Sequence, residues 1–201
     1  WTASEWARRT RAIEAGLGYT TPMGISYRFC SSPLVHEVEY VQKIVNDENI
    51  NLIIVDPLGS AVDGNIREED SVLSYFRALR SFSCTTLSIH HENKNPESKD
   101  KMYGNRYIRN QARNVWQVSS SQEPGESEMV VGLFHRKINS NQLMRPMGLR
   151  FMYRSKDEKL EEITVGKGEL RDEPGLKDQL SESTRILNAL HDISVATNKE
   201  L

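Results

Sequence analysis

Three groups of residues in this 201-residue chain have the types and spacing to handle a phosphate and its metal ion. The first is Asp56, which closes the aliphatic run Leu52-Ile53-Ile54-Val55 and precedes Pro57. A carboxylate at the tip of a buried strand costs free energy unless it is paired, hydrogen-bonded or turned to a ligand. Asp56 therefore reads either as the group that holds the water shell of a nucleotide-bound Mg²⁺ or as a turn former, since Asp-Pro favours turns. The second group is His90 and His91, which close the run Thr85-Thr86-Leu87-Ser88-Ile89. Neighbours in a strand point to opposite faces, so at most one of the two imidazoles faces a given crevice. That one could donate to a terminal phosphate; otherwise both are ordinary strand-end histidines. The third group is Arg106, Arg109 and Arg113, which recur at helical spacing. They form either a solvated basic face or a guanidinium offered to a phosphate, whose planar fork stays charged and binds at two points. Arg136 and Lys137 repeat the theme at the end of the run Met129 to His135. Glu92 follows the histidines and raises a metal-hydrolase alternative centred on Asp56, His90, His91 and Glu92. Three consecutive residues make a poor ligand set, however, and no HExxH spacing occurs.

Such groups need elements that bring strand ends together. A helix is expected after Ser4, with Trp6, Ala7, Thr10, Ile13 and Leu17 at helical spacing, ending at Gly16 and Gly18. Ile25 to Phe29 alternates like a short strand, and Pro33 opens a second helix striped by Val35, Val38, Val41, Ile44 and Val45. Leu52 to Val55 and Thr85 to Ile89 read as strands of a parallel sheet buried on both faces, with a helix from about Glu68 to Ser83 between them. A short helix from Gly104 to Gln111 then feeds a strand at Val115 to Val118. This alternation predicts an α/β fold with a mostly parallel sheet between helices. The ligand crevice of such a sheet lies beyond the carboxyl ends of its strands, where Asp56 and His90-His91 fall. Met129–His135, Leu149–Tyr153 and Leu160–Val165 read as appended antiparallel strands, 166–180 as a linker, and Ile186, Leu187 and Leu190 mark a last helix.

The bulk properties leave this class open and close others. The composition is that of a folded globular protein, at 37% hydrophobic and 27% charged. A net charge of -2 does not mark a dedicated nucleic-acid binder, although a local basic face is compatible with it. Cys30 and Cys84 form no CxxC pair and read as buried thiols in a reducing cytoplasm. No apolar run reaches the roughly 18 residues of a membrane span. The chain opens without an initiator methionine, and both ends are expected to be cut edges of a longer protein. The phosphate-loop pattern GxxxxGK[ST] is absent; Gly166-Lys167-Gly168 holds a Gly-Lys without its partners.

Asn51-Leu52-Ile53-Ile54-Val55-Asp56-Pro57-Leu58-Gly59 resembles the Walker B strand of the RepA-like hexameric helicases and of the related DnaB, RecA and KaiC-type ATPases. Leu87-Ser88-Ile89-His90-His91-Glu92-Asn93-Lys94 resembles the next strand, which in RepA-like proteins ends in paired histidines. Tyr103-Gly104-Asn105-Arg106 through Arg113-Asn114-Val115-Trp116 is similar to the family's Gly-Ser-Ser helix and following strand, with Asn105 in place of the first serine. Glu5-Trp6-Ala7-Arg8-Arg9-Thr10-Arg11 resembles the helix after the family's second strand. The resemblance covers residues 1–165 and implies a partial RecA-like ATPase domain, followed by the linker 166–180. Residues 181–201 resemble the first helix and the start of the second in a winged-helix module.

The resemblance also implies ATP and Mg²⁺ as cofactors, single-stranded DNA as partner and a homo-oligomeric ring, such as a hexamer. In it Asp56 is the Walker B aspartate, His90 or His91 senses the terminal phosphate, and Arg113, with Arg109 as its rival, reaches a neighbouring subunit's nucleotide. Lys137 and Arg136 lie near the phosphates, and Lys94, Lys99 and Lys101 are candidates to grip DNA. The Walker A loop and the catalytic glutamate would precede Trp1, so the isolated chain is expected to be inactive. The alternative is a RecA-like module that assembles or regulates without hydrolysis.

Overall fold

A computed structural model describes residues 2–92, 104 and 106–197. In chain order its elements are α1 (Ala3–Gly16), α2 (Leu34–Asp47), β1 (Leu52–Val55), α3 (Leu58–Ala61), α4 (Glu69–Ser81), β2 (Thr85–Ser88) and α5 (Tyr107–Gln111). They continue with β3 (Asn114–Ser121), β4 (Glu128–Ile138), β5 (Met147–Lys156), β6 (Lys159–Lys167), α6 (Pro174–Lys177) and α7 (Glu182–Thr197). The fold is mixed α/β and divides into two compact units. One is Ser26–Arg113; the other joins the residues up to Ile25 with those from Asn114 onward.

The unit Ser26–Arg113 is built on β1 and β2, which pair in parallel with Val55 opposite Ser88. Ile53 and Val55 turn inward onto the core formed by Val72, Tyr75, Phe76 and Leu79 of α4, with Leu34, Leu58 and Ile108. Val35, Val38 and Val41 bring the apolar stripe of α2 against the same core, as their spacing predicts. Val72 and Tyr75 are sealed from solvent, and each buried side chain of this size stabilises the fold by about 1.5–3 kcal/mol. Glu69 and Asp70 in the first turn of α4 and Arg80 in its last complement the helix dipole.

The second unit is an antiparallel meander in the order β3-β4-β5-β6. Asp157 and Glu158, both at positive φ, make the tight turn from β5 to β6. Helix α1 packs on β6 so closely that a Cβ on Gly16 would lie 1.8 Å from the Ile163 carbonyl oxygen. Thr2 caps α1, and its hydroxyl and amide form a reciprocal box with Glu5. That contact holds the Glu5 carboxyl below its ordinary range.

Six expectations are corrected. The parallel sheet among the described residues has two strands rather than a mostly parallel array. Ile25 to Phe29 joins no strand among the described residues, and Phe29 is 74% exposed. Val115 to Val118 lies in β3, antiparallel to β4. The link at 122–127 is short enough for an antiparallel return, whereas a parallel one needs a crossover of a dozen residues or more. The stretch 166–180 differs from a solvated linker: Leu170, Leu176 and Leu180 pack on Val130 and Phe134. Helix α7 runs unbroken to Thr197, with no Gly or Pro to part it into two winged-helix segments. Cys30 is exposed and Cys84 half-buried; burial raises the Cys84 thiol's pKa.

Candidate functional site

The candidate site lies at the carboxyl rim of the β1–β2 pair. Chain alternation sends Ile53 and Val55 to the helices and leaves Leu52 and Ile54 49% and 56% exposed on the other face. Leu87 and Ile89 lie 50% and 42% exposed on β2 and just beyond it. Past the last ladder residues, the Ile89 N–H donates to the Val55 carbonyl at 2.8 Å. The Leu58 N–H donates back to the Ile89 carbonyl at 2.7 Å. These two bonds clamp the segment Val55-Asp56-Pro57-Leu58 beside Ile89-His90-His91, so the acid and the imidazoles leave adjacent parallel strands at the same end. The Asp56–Pro57 peptide is cis. Leu58 is buried and anchors α3 directly behind this corner.

Asp56 and His91 are exposed, and His90 is half-buried. The exposed-to-buried alternation of β2 thus continues through the pair, with His91 in the solvent-accessible phase that Asp56 also occupies. Behind the rim, the Tyr75 hydroxyl and Ser88 Oγ are hydrogen-bonded at 2.6 Å. Burial pushes the Tyr75 pKa up to about 12, with the Ser88 bond acting in the opposite sense. The rim therefore offers an accessible carboxylate and imidazole over a neutral, packed support. A carboxylate so placed fits the water shell of a divalent ion, and an imidazole N–H fits a phosphate oxygen.

The other predicted residues divide between the two units. Arg109 is exposed on α5, and Arg113 is exposed two residues past the end of that helix. Helix α5 has five residues, so the expected helical row Arg106, Arg109 and Arg113 is carried by helix only at Arg109. Buried Ile108 ties α5 to the core, and Arg80 donates to the Gln111 side chain. Arg136 and Lys137 belong to the second unit and lie within β4, which continues to Ile138 rather than ending at His135. The Arg136 Nε donates to Gln117 Oε1 at 2.8 Å and its guanidinium lies 5.0 Å over the Phe134 ring, a packing role as well as a charge. Lys94, Lys99, Lys101 and Asn105 lie outside the described residues. Among the described residues, no three His, Cys, Asp or Glu side chains gather as a metal-ligand set around Asp56, His90, His91 and Glu92. A cleft of about 330 Å³ between α1 and β6, lined by Ser4, Arg8, Arg11, Leu160 and Glu161, contains none of the predicted residues.

Sequence reasoning missed a polar cluster on β3 and β4. His135 is 6% exposed and stacks on Trp116, with ring centroids 4.3 Å apart and planes at 3°. Its Nε2 is 2.8 Å from Asn114 Oδ1, and its Nδ1 accepts the Met144 N–H at 2.9 Å. The available signal was a histidine directly after the apolar run Val130–Phe134. His36 and Asp63, 3.1 Å apart at the surface of the other unit, also went unnoticed. No helix among the described residues is long and apolar enough to cross a membrane. Neither a model of a known protein family nor a curated protein matches this chain.

Proposed function

We propose that this chain is part of a RecA-like ATP-hydrolysing motor subunit of the RepA-like hexameric-helicase group. The observation that carries the reading is the parallel pairing of β1 with β2, which ends Asp56 and His90-His91 at one rim. The order of the resembling segments along the chain, Walker B strand, histidine strand and arginine-bearing helix, supports it independently.

On this reading Asp56 holds the water shell of Mg²⁺ bound to ATP, and ATP supplies the phosphoanhydride whose cleavage powers movement. His91, in the same exposed phase as Asp56, donates an N–H toward the terminal phosphate; His90 supports it from the half-buried side. Arg113 offers its guanidinium to the nucleotide of the next subunit, with Arg109 beside it. A finger of this kind is worth roughly 10³ to 10⁵ in rate. The partner would be single-stranded DNA threaded through a ring of subunits.

The test uses the protein in which this sequence is joined to a phosphate-binding loop, since GxxxxGK[ST] does not occur in these 201 residues. Asp56→Ala is expected to abolish ATP hydrolysis while leaving the unfolding temperature within a few degrees of the parent, because Asp56 is exposed and fills no core space. Undiminished turnover rejects the assignment. Nucleotide binding without hydrolysis in the unmutated protein would favour a non-catalytic assembly module instead.

A further inference from the structure

From the His135 cluster we infer that His135 is a proton-operated latch on the β4–β5 connection, residues 139–146. The bonding pattern fixes its state. Nδ1 accepts the backbone N–H of Met144, so that nitrogen carries no hydrogen. The ring's one hydrogen therefore sits on Nε2 and is donated to Asn114 Oδ1. Trp116 covers one face of the ring, leaving it 6% exposed. The neutral Nε2–H form satisfies both nitrogens and ties the far end of the connection to the sheet.

Adding a proton reverses this. An imidazolium is a donor at both nitrogens, so Nδ1–H would confront the Met144 N–H, and one of the two buried donors would lose its partner. The charged side chains around it do not ease the change. Strand β3, which supplies Asn114 and Trp116, carries no charged residue. Strand β4 offers Arg136 and Lys137, the connection offers Arg145, and β5 offers Arg150, which is engaged with Glu128 at 3.1 Å. Arg136 turns with Phe134 to the other face. Glu128, the one carboxylate on these strands and their connection, is thus already taken by Arg150, and the relief for a protonated ring is for Met144 to leave. The anchor then lost belongs to a segment whose Leu143 and Met144 are already 57% and 55% exposed. Protonation of the ring releases the connection, and loss of that proton relatches it.

Two measurements on the unmodified chain decide the matter. A long-range ¹H–¹⁵N spectrum at about pH 8 reads the His135 tautomer; Nε2–H is expected, and Nδ1–H overturns the latch. Amide exchange at Met144, corrected for the intrinsic chemical rate, is then followed down to about pH 5. Its protection is expected to fall about tenfold, the scale of one hydrogen bond, while protection of Thr164 in β6 holds. Constant protection at Met144 across that range overturns the latch. His135→Gln sharpens the result: its amide oxygen accepts from Met144, its NH₂ donates to Asn114, and it takes up no proton. Met144 protection in that variant should be independent of pH, and a loss matching that of the parent protein overturns the proposal. If the variant fails to fold, the two measurements on the parent still stand.

Discussion

The Tyr75 hydroxyl, held by Ser88 beneath the candidate rim, carries a titration of its own. Its pKa is raised by burial to about 12, so the folded state favours the neutral phenol. The stabilisation is complete below about pH 10, the ordinary tyrosine value, and is lost as pH rises toward 12. It amounts to roughly 2–3 kcal/mol. Absorbance titration at alkaline pH should show a late tyrosinate phase, and Tyr75→Phe should remove that phase. Asp56 and the histidines were legible in the sequence for a local reason: each closes a strand-like run, and the closure marks a strand end. His135 was not, because its meaning depends on the cross-strand partner Trp116, which only the register of β3 on β4 supplies.

At the scale of elements, the helices α2 and α4 and the strand β4 were legible because each buries one face against a core within its own unit, and β5 and β6 because they are runs set off by short polar links. The orientation of β3 could not, since the pattern of Val115 to Val118 is the same in a parallel and an antiparallel neighbour. Contact between α1 and β6 was likewise hidden, although Gly16 is its enabling residue. Gly16→Ala would drive a methyl group into the Ile163 carbonyl and force the helix off the strand. A loss of roughly 2 kcal/mol or more in denaturant unfolding is expected. Gly125→Ala is the control: φ there is +89° but the space is open, so strain alone should cost about 1 kcal/mol.

For the whole molecule, the sequence suggested one partial domain, a linker and a tail, whereas the chain divides at Asn114 and returns its first helix to the later unit. Contiguity along the chain concealed this, because α1 finds its partner strand more than a hundred residues away. The assembly proposed above makes its own prediction. In the loop-bearing protein, Arg113→Ala should lower ATP turnover by roughly 10³-fold. Mixing it with Asp56→Ala subunits should restore part of the rate, measured by phosphate release, because some junctions then combine an intact aspartate with an intact arginine. No recovery would confine Arg113 to its own subunit.

The leucines at 170, 176 and 180 also set where this chain tolerates shortening. Among the described residues they supply three of the five buried side chains in the core around Phe134. A version trimmed after β6, where the composition turns polar and an obvious boundary suggests itself, would strip the cover from Val130 and Phe134 and leave a greasy sheet face in water. The shortest durable form of the meander therefore ends beyond Leu180.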